Sequence, residues 1–144
     1  MTSMTEASRI LYAQEPNLDV AEFSRVLLDS GLGATRPTND TPRMKQMLSQ
    51  ADLIVTARLD RPDRPLVGVA RCITDFSWCC YLSELAVSPS AQGSGVGKGL
   101  LDEARRLLGP RVSLILASMP ESVGFYERIG MPRQPDAFWF RRTE

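Results

Sequence analysis

Leu82-Ser83-Glu84-Leu85-Ala86-Val87-Ser88-Pro89-Ser90-Ala91-Gln92-Gly93-Ser94-Gly95-Val96-Gly97-Lys98 is the stretch around which the chain organises. Its first part alternates as a strand does, and Ser88-Pro89 ends that strand. Gly93, Gly95 and Gly97 follow at every second position, and apolar residues at helical spacing begin at Val96. Glycines have no Cβ, so consecutive amides here can converge on one anion without steric cost. The opening turn of a helix adds unpaired N–H groups and a positive dipole end. A strand, a glycine turn and a helix in that order predict a seat for a phosphate or diphosphate. An ordinary strand-to-helix turn would not need three alternate glycines.

Two common phosphate motifs do not fit. The P-loop pattern needs glycine where Gln92 stands, and Ser or Thr where Gly99 follows Lys98. The dinucleotide pattern GxGxxG places Lys98 or Leu100 at its third glycine, and no acidic residue near position 117 could hold a ribose. Gln-Gly-Ser-Gly-Val-Gly (Gln92–Gly97) does match the pattern Q/R-x-x-G-x-G/A.

Downstream, Val96, Leu100, Leu101, Ala104, Leu107 and Leu108 form one helix face, with Lys98, Asp102, Glu103 and Arg105 opposite. Gly109-Pro110 terminates that helix. Val112 to Ala117 reads as a strand buried on both faces, reached by a helical crossover. A last helix starts near Pro120 and carries Val123, Phe125, Tyr126 and Ile129, with Gly130 as its stop. Ala137-Phe138-Trp139-Phe140 reads as a closing strand of core and edge residues.

Upstream, Leu53–Ala57, Leu66–Ile73 and Cys79–Val87 read as three strands with short connections, hence an antiparallel meander. Before them, Ile10-Leu11-Tyr12 is a strand. Asp19 and Glu22 have capping-box spacing ahead of a helix carrying Val20, Phe23, Leu27 and Leu28, stopped by Gly31. Residues 31–40 form a loop, and Thr41-Pro42 opens a helix with Met44, Met47 and Leu48 on its apolar stripe. The order β-α-α-β-β-β-α-β-α-β describes one mixed α/β domain over residues 1–144.

Composition sets the limits. The 144 residues are 43% hydrophobic and 24% charged, with 17 basic and 17 acidic side chains. That balance gives no surplus of positive charge for nucleic acid or an anionic membrane. No histidine is present, so Ser/His/Asp and Cys/His triads are excluded. Cys72, Cys79 and Cys80 lack metal-ligand spacing, and Cys79 and Cys80 read as small buried strand residues. No metal is expected. Met1–Arg9 has no leader pattern and no segment approaches about 18 continuous apolar residues, which points to the cytoplasm.

Taken together, Gln92–Gly97 and Gly124-Phe125-Tyr126-Glu127-Arg128-Ile129-Gly130-Met131 resemble the GNAT superfamily of N-acetyltransferases, the second stretch being similar to its "FYxxxGF" element with Met131 in place of Phe. The resemblance runs from about Leu53 to Phe140. It implies a GNAT-like fold: a mixed central sheet with splayed strands around an acetyl-CoA site, flanked by about four helices. It also implies acetyl-CoA as acyl donor and a primary amine as acceptor, with direct attack in a ternary complex.

The diphosphate would meet Gln92, Gly93, Ser94, Gly95, Val96, Gly97 and Lys98, though Lys98 reads equally as a solvated helix residue. The main chain of Leu85, Ala86 and Val87 would bond pantetheine and the thioester carbonyl, and Phe125 and Tyr126 would flank the cofactor. Tyr126 is the candidate general acid toward the CoA sulfur, or else a packed aromatic. Glu84 is the candidate general base, or else an ion-paired carboxylate; Tyr81 and Asp75 stand behind it. The segments 31–40 and 74–81 are expected to shape a small-molecule acceptor pocket. The apolar C-terminal strand is compatible with a homodimer. The competing reading is a non-catalytic acyl-CoA-binding sensor.

Overall fold

The computed structural model describes residues 9–144. Of the N-terminal stretch read above, all but Arg9 therefore lies outside the described residues. Five strands form one sheet in the order β1-β2-β3-β4-β5: β1 is Ile10–Gln14, β2 Leu53–Leu59, β3 Leu66–Thr74, β4 Cys79–Val87 and β5 Ser113–Ile115. The first four pair antiparallel, and β5 lies parallel to β4, reached through helix α3 (Val96–Leu108). The antiparallel meander and the crossover are as the sequence predicts. No described helix is long and apolar enough to cross a membrane.

Two apolar layers sit on opposite faces of the sheet. On one, α1 (Val20–Ser30) and α2 (Thr41–Ser49) cover Ile54, Val69 and Ala86 with Phe23, Val26, Leu27, Met44 and Leu48. Phe23, Val26 and Leu27 have no exposed surface, each worth roughly 1.5–3 kcal/mol of burial. On the other face, Val96, Leu100, Leu101, Ala104 and Leu108 of α3 cover Val55, Ala57, Ala70, Cys72, Cys80 and Leu82. The short helix α4 (Val123–Arg128) joins this second layer through Phe125 and Tyr126, with Ile129 just beyond its end.

Local chemistry explains the helix ends. The Asp19 carboxylate accepts the amide of Glu22 at 3.1 Å, and Gly31 closes α1 with φ +90°. Only half of the predicted capping box forms. The Glu22 carboxylate instead takes the guanidinium of Arg58 on β2 at 2.9 Å, a stronger charge-assisted partner than an amide. Asp40 caps α2 through the amide of Arg43, with Pro42 in the first turn, and residues 32–35 of the preceding loop make one 3-10 turn.

Three expectations are corrected. Ala137–Phe140 is not a strand, and Phe138, Trp139 and Phe140 are exposed, with the Arg141 guanidinium over the Trp139 ring. Their β propensity is a local signal, and pairing also needs an edge in register. The Val112–Ala117 run yields only Ser113–Ile115, with Leu114 partly buried and Ser113 and Ile115 exposed, because β5 is the last strand of the sheet. Of the vicinal cysteines, Cys80 is buried and Cys79 exposed, as alternation along β4 requires.

Candidate active site

A bulge in β4 sets the geometry of the site. Arg71 on β3 faces Glu84 whereas the next residue, Cys72, faces Leu82, so Ser83 is an extra residue on β4. Before it, Cys80 and Leu82 face α3; after it, Leu85 and Val87 do, while Glu84 and Ala86 turn to the α1–α2 side. At the same level β4 parts from β5. Their pairing runs Cys79↔Ser113, Cys80↔Leu114 and Tyr81↔Ile115, then stops. From Leu82 to Val87 the β5-facing main chain of β4 has no strand partner. Leu85, Ala86 and Val87 pair only with Ala70, Val69 and Gly68 on β3. The splay expected around the site is present.

The glycine turn closes the wide end of this V. Gly93 and Gly95 both adopt the left-handed conformation, φ +82° and +83°, and a Cβ at either would meet no atom within 4 Å. Glycine is needed there for its backbone freedom and not for room. Gly97 and Gly99 differ. A Cβ at Gly97 would come within 2.9 Å of the Phe125 ring, and one at Gly99 within 2.1 Å of the Tyr12 hydroxyl. These two glycines let α4 and β1 pack directly on the first turns of α3, which brings the two motifs, some thirty residues apart in sequence, into contact.

Hydrogen bonds brace the turn from behind. The Gln92 side-chain amide donates to the Val87 carbonyl at 2.9 Å, the Gln92 amide donates to Pro89, and the Ser94 hydroxyl donates to the Ala91 carbonyl. Gln92 therefore braces the turn through its side-chain amide. The first amide of α3 with an internal partner is that of Gly99, which bonds the Gly95 carbonyl at 2.9 Å. The six amides from Gly93 to Lys98 have no hydrogen-bond partner among the described residues. Six unpaired donors at the positive end of a helix are the arrangement a diphosphate requires. Ser88, where β4 ends, has a buried hydroxyl also without a partner among the described residues.

Comparison with known proteins is decisive for the family. Residues 21–131 match the model of the Acetyltransferase (GNAT) family. The chain is a GNAT-family N-acetyltransferase. It is 28% identical over 145 residues to an uncharacterized ycf52-like N-acetyltransferase of Prochlorococcus marinus, across 96% of this chain and 78% of that one. Among solved structures it resembles GNAT family protein SP0256 of Streptococcus pneumoniae (TM-score 0.69, 23% identity, 93% and 99% of the two chains). It likewise resembles aminoglycoside N-acetyltransferase AAC(6')-Iy in complex with CoA (TM-score 0.71, 17% identity, 96% and 97%). Members of the GNAT family use acetyl-CoA, and the α/β architecture is theirs.

Within this GNAT enzyme, the side chains expected to act divide sharply. Tyr126 is partly buried, its ring edge-on to Phe125 at 4.9 Å between centroids. Burial pushes its phenol up to about 12, so the hydroxyl stays protonated throughout the ordinary pH range. The Lys98 ammonium pairs with Asp102 at 2.8 Å on the exposed face of α3, leaving only its main-chain amide at the turn. Asp75 accepts three amides of its own hairpin, from Ser77, Trp78 and Cys79.

Glu84 is held as an ion-paired carboxylate. One of its oxygens accepts Nε of Arg71; the other accepts Nε of Arg36 at 2.7 Å and the Ser83 hydroxyl at 2.8 Å. Burial alone would push this carboxyl up, but the hydrogen bonds and charges of Arg71 and Arg36 outweigh it and hold it below the usual carboxylate range. A carboxylate 1% exposed and bound by two guanidiniums is a poor proton acceptor. Its geometry does not carry the role of general base.

The sequence reading missed both arginines. Arg71 was visible as a charge amid the apolar run Leu66–Ile73, and such a charge requires a partner across the sheet. Arg36 left no signal in its glycine- and proline-rich loop. Its guanidinium also donates to the Ser83 carbonyl at 2.8 Å, clamping the bulge to the α1–α2 connection.

Proposed function

We propose that this enzyme transfers the acetyl group of acetyl-CoA to a primary amine by direct attack within a ternary complex. The observation that carries the proposal is the strand-free edge of β4 over Leu82–Val87, where, among the described residues, side chains take only the Ser83 and Val87 carbonyls, leading to the unpaired amides of Gly93–Lys98. Coenzyme A would extend along it, with pantetheine on the free edge of β4 and the diphosphate on the turn. The CoA-bound aminoglycoside N-acetyltransferase of like fold supports that assignment.

The amine nitrogen attacks the thioester carbonyl, forming a C–N bond. A β4 amide directed at that carbonyl stabilises the developing oxyanion. Collapse breaks the C–S bond, and the sulfur leaves as thiolate with a hydrogen bond from the Tyr126 hydroxyl. Full proton transfer from a phenol near 12 to a thiolate of ordinary pKa, about 8.5, is uphill by about 5 kcal/mol, so Tyr126 acts as a donor and solvent completes protonation. With Glu84 bound by arginines, water takes the ammonium proton before attack and also the second proton, which the attacking nitrogen loses as the amide forms.

Replacing Tyr126 by Phe removes one hydrogen bond to a developing charge. The expected result is a kcat lower by about 10- to 100-fold with the Kd for acetyl-CoA unchanged within about twofold. Thiol release against a panel of amines, with calorimetry for the cofactor, measures both. Unchanged turnover in that variant would remove Tyr126 from the mechanism. Without an enzymic carboxylate base, log kcat/KM should rise with unit slope as pH approaches the acceptor's own pKa. A plateau set by an enzyme group near pH 6, abolished by Glu84→Gln, would restore Glu84 as base.

A further inference from the structure

The bulge residue Ser83 is gripped twice. Its carbonyl accepts Nη2 of Arg36 at 2.8 Å, and its hydroxyl donates to the same Glu84 oxygen that accepts Nε of Arg36 at 2.7 Å. An extra residue in a strand loses its ladder partner, and the planar guanidinium supplies one with the fork that also neutralises Glu84. The fork is itself held. Nη1 of Arg36 donates to the Thr35 hydroxyl at 3.0 Å, and that hydroxyl donates to the Leu32 carbonyl at 3.0 Å. Gly33 seats this turn directly on α1, since a Cβ there would come within 2.9 Å of the Leu28 backbone. From the other side, Arg71 joins Glu84 to the Met47 carbonyl of α2 at 3.0 Å.

These bonds bear on where β4 aims its main chain. The Ser88 amide donates to the Val67 carbonyl of β3 at 2.8 Å, and bonded and non-bonded pairs alternate along an antiparallel ladder. Glu84 and Ala86 therefore face β3, whereas Leu85 and Val87 present their amides to the open edge. The Leu85 amide is the first beyond the bulge to do so, and its peptide begins at Cα of Glu84. Its direction depends on how the bulge is held.

We propose that Arg36 is a positioning residue for acetyl transfer: its fork on Ser83 and Glu84 fixes the Leu85 amide toward the thioester carbonyl. This rests on the placement of acetyl-CoA in the V given above. The partners of Arg36 are Thr35, Ser83 and Glu84, so it acts on the reaction through the main chain of β4. A donor that stabilises a developing oxyanion must be in place before the attack, and an error of about 1 Å costs up to about 100-fold in rate. Lysine cannot substitute. A single ammonium on a flexible stem neutralises Glu84 but has no fixed fork for the Ser83 carbonyl as well.

Isotope-edited infrared spectroscopy of bound acetyl-CoA, labelled with 13C at the thioester carbonyl, tests this alongside calorimetry and thermal melting. In the wild type the carbonyl band should lie at lower wavenumber than in free acetyl-CoA, because a hydrogen bond polarises the C=O bond. In Arg36→Ala it should return most of the way to the free position, with Kd for acetyl-CoA within about twofold of wild type and kcat over the amine panel about tenfold lower. Glu84 keeps Arg71 and the Ser83 hydroxyl in that variant, so the fold persists. Arg36→Lys should regain Tm with the counter-charge yet leave the band near the free position. An unmoved band or unchanged kcat in Arg36→Ala, a loss of affinity in step with kcat, or a band restored in Arg36→Lys together with Tm would each overturn the inference. A wild-type band at the free position, or no binding of acetyl-CoA by the wild type, would instead remove the reading on which it depends.

Discussion

The Gly95→Glu variant is expected to bind acetyl-CoA at least about 100-fold more weakly than the wild type, a loss of about 2.7 kcal/mol or more. Two effects add. A side chain at φ +83° costs about 1–2 kcal/mol of backbone strain, which distorts the turn if the chain relaxes. A carboxylate within about 4 Å of a phosphate repels it by about 4 kcal/mol at an intermediate dielectric. The fold itself should survive, because a Cβ at Gly95 meets no atom within 4 Å. Gly31→Glu provides the matched control. Gly31 has φ +90° and equally open surroundings, but it caps α1 and is no part of the turn, so its Kd should match the wild type. Calorimetric titration of both variants decides the matter, and equal affinities would show that the turn does not hold the diphosphate.

The largest effect on stability is expected at Glu84. Glu84→Gln keeps the shape but leaves Arg71 and Arg36 without their counter-charge, and Arg71 is only 8% exposed. Removing one partner of a buried pair costs about 3–5 kcal/mol. For a chain of this size that lowers Tm by about 10 °C, which differential scanning calorimetry would register. Replacing Glu84 by Leu and Arg71 by Met together should recover much of the loss, since Arg36 can turn to solvent and no buried charge is stranded.

The pH dependence follows from the sign of the shift. The folded carboxyl lies below its unfolded value, so its contribution is complete above the ordinary glutamate range, about 4.3, and is lost as pH falls through the depressed folded value. Glu15 and Glu22, both lowered by their hydrogen bonds to Arg58, add to the same acid limb. The Glu84→Gln variant should therefore lose stability less steeply on acidification than the wild type. An equal slope would mean that Glu84 is not ionised in the native state.

Legibility in the sequence followed the range of the interactions. Gly93 and Gly95 announced their conformation because positive φ is a local demand that glycine alone meets easily. The meander, α3 and the crossover were readable from periodicity and connection length. The bulge at Ser83 was not, since one extra residue in a strand leaves no mark until the neighbouring strand fixes the register. It inverts the facing of Glu84, so the residue that alternation alone places beside the reaction centre is turned toward Arg71 and Arg36. Ala137–Phe140 failed for the opposite reason: three aromatics in a row satisfy local propensity, yet no edge takes them up.

The proposed diphosphate seat is made of main-chain N–H groups, and an amide-resolved titration addresses them directly. In 15N-labelled protein titrated with coenzyme A, the amides of Gly93, Ser94, Gly95, Val96, Gly97 and Lys98 should show the largest saturable shifts, followed by those of the β5-facing side of Leu82–Val87. Saturable binding that leaves the Gly93–Lys98 resonances in place would contradict the account.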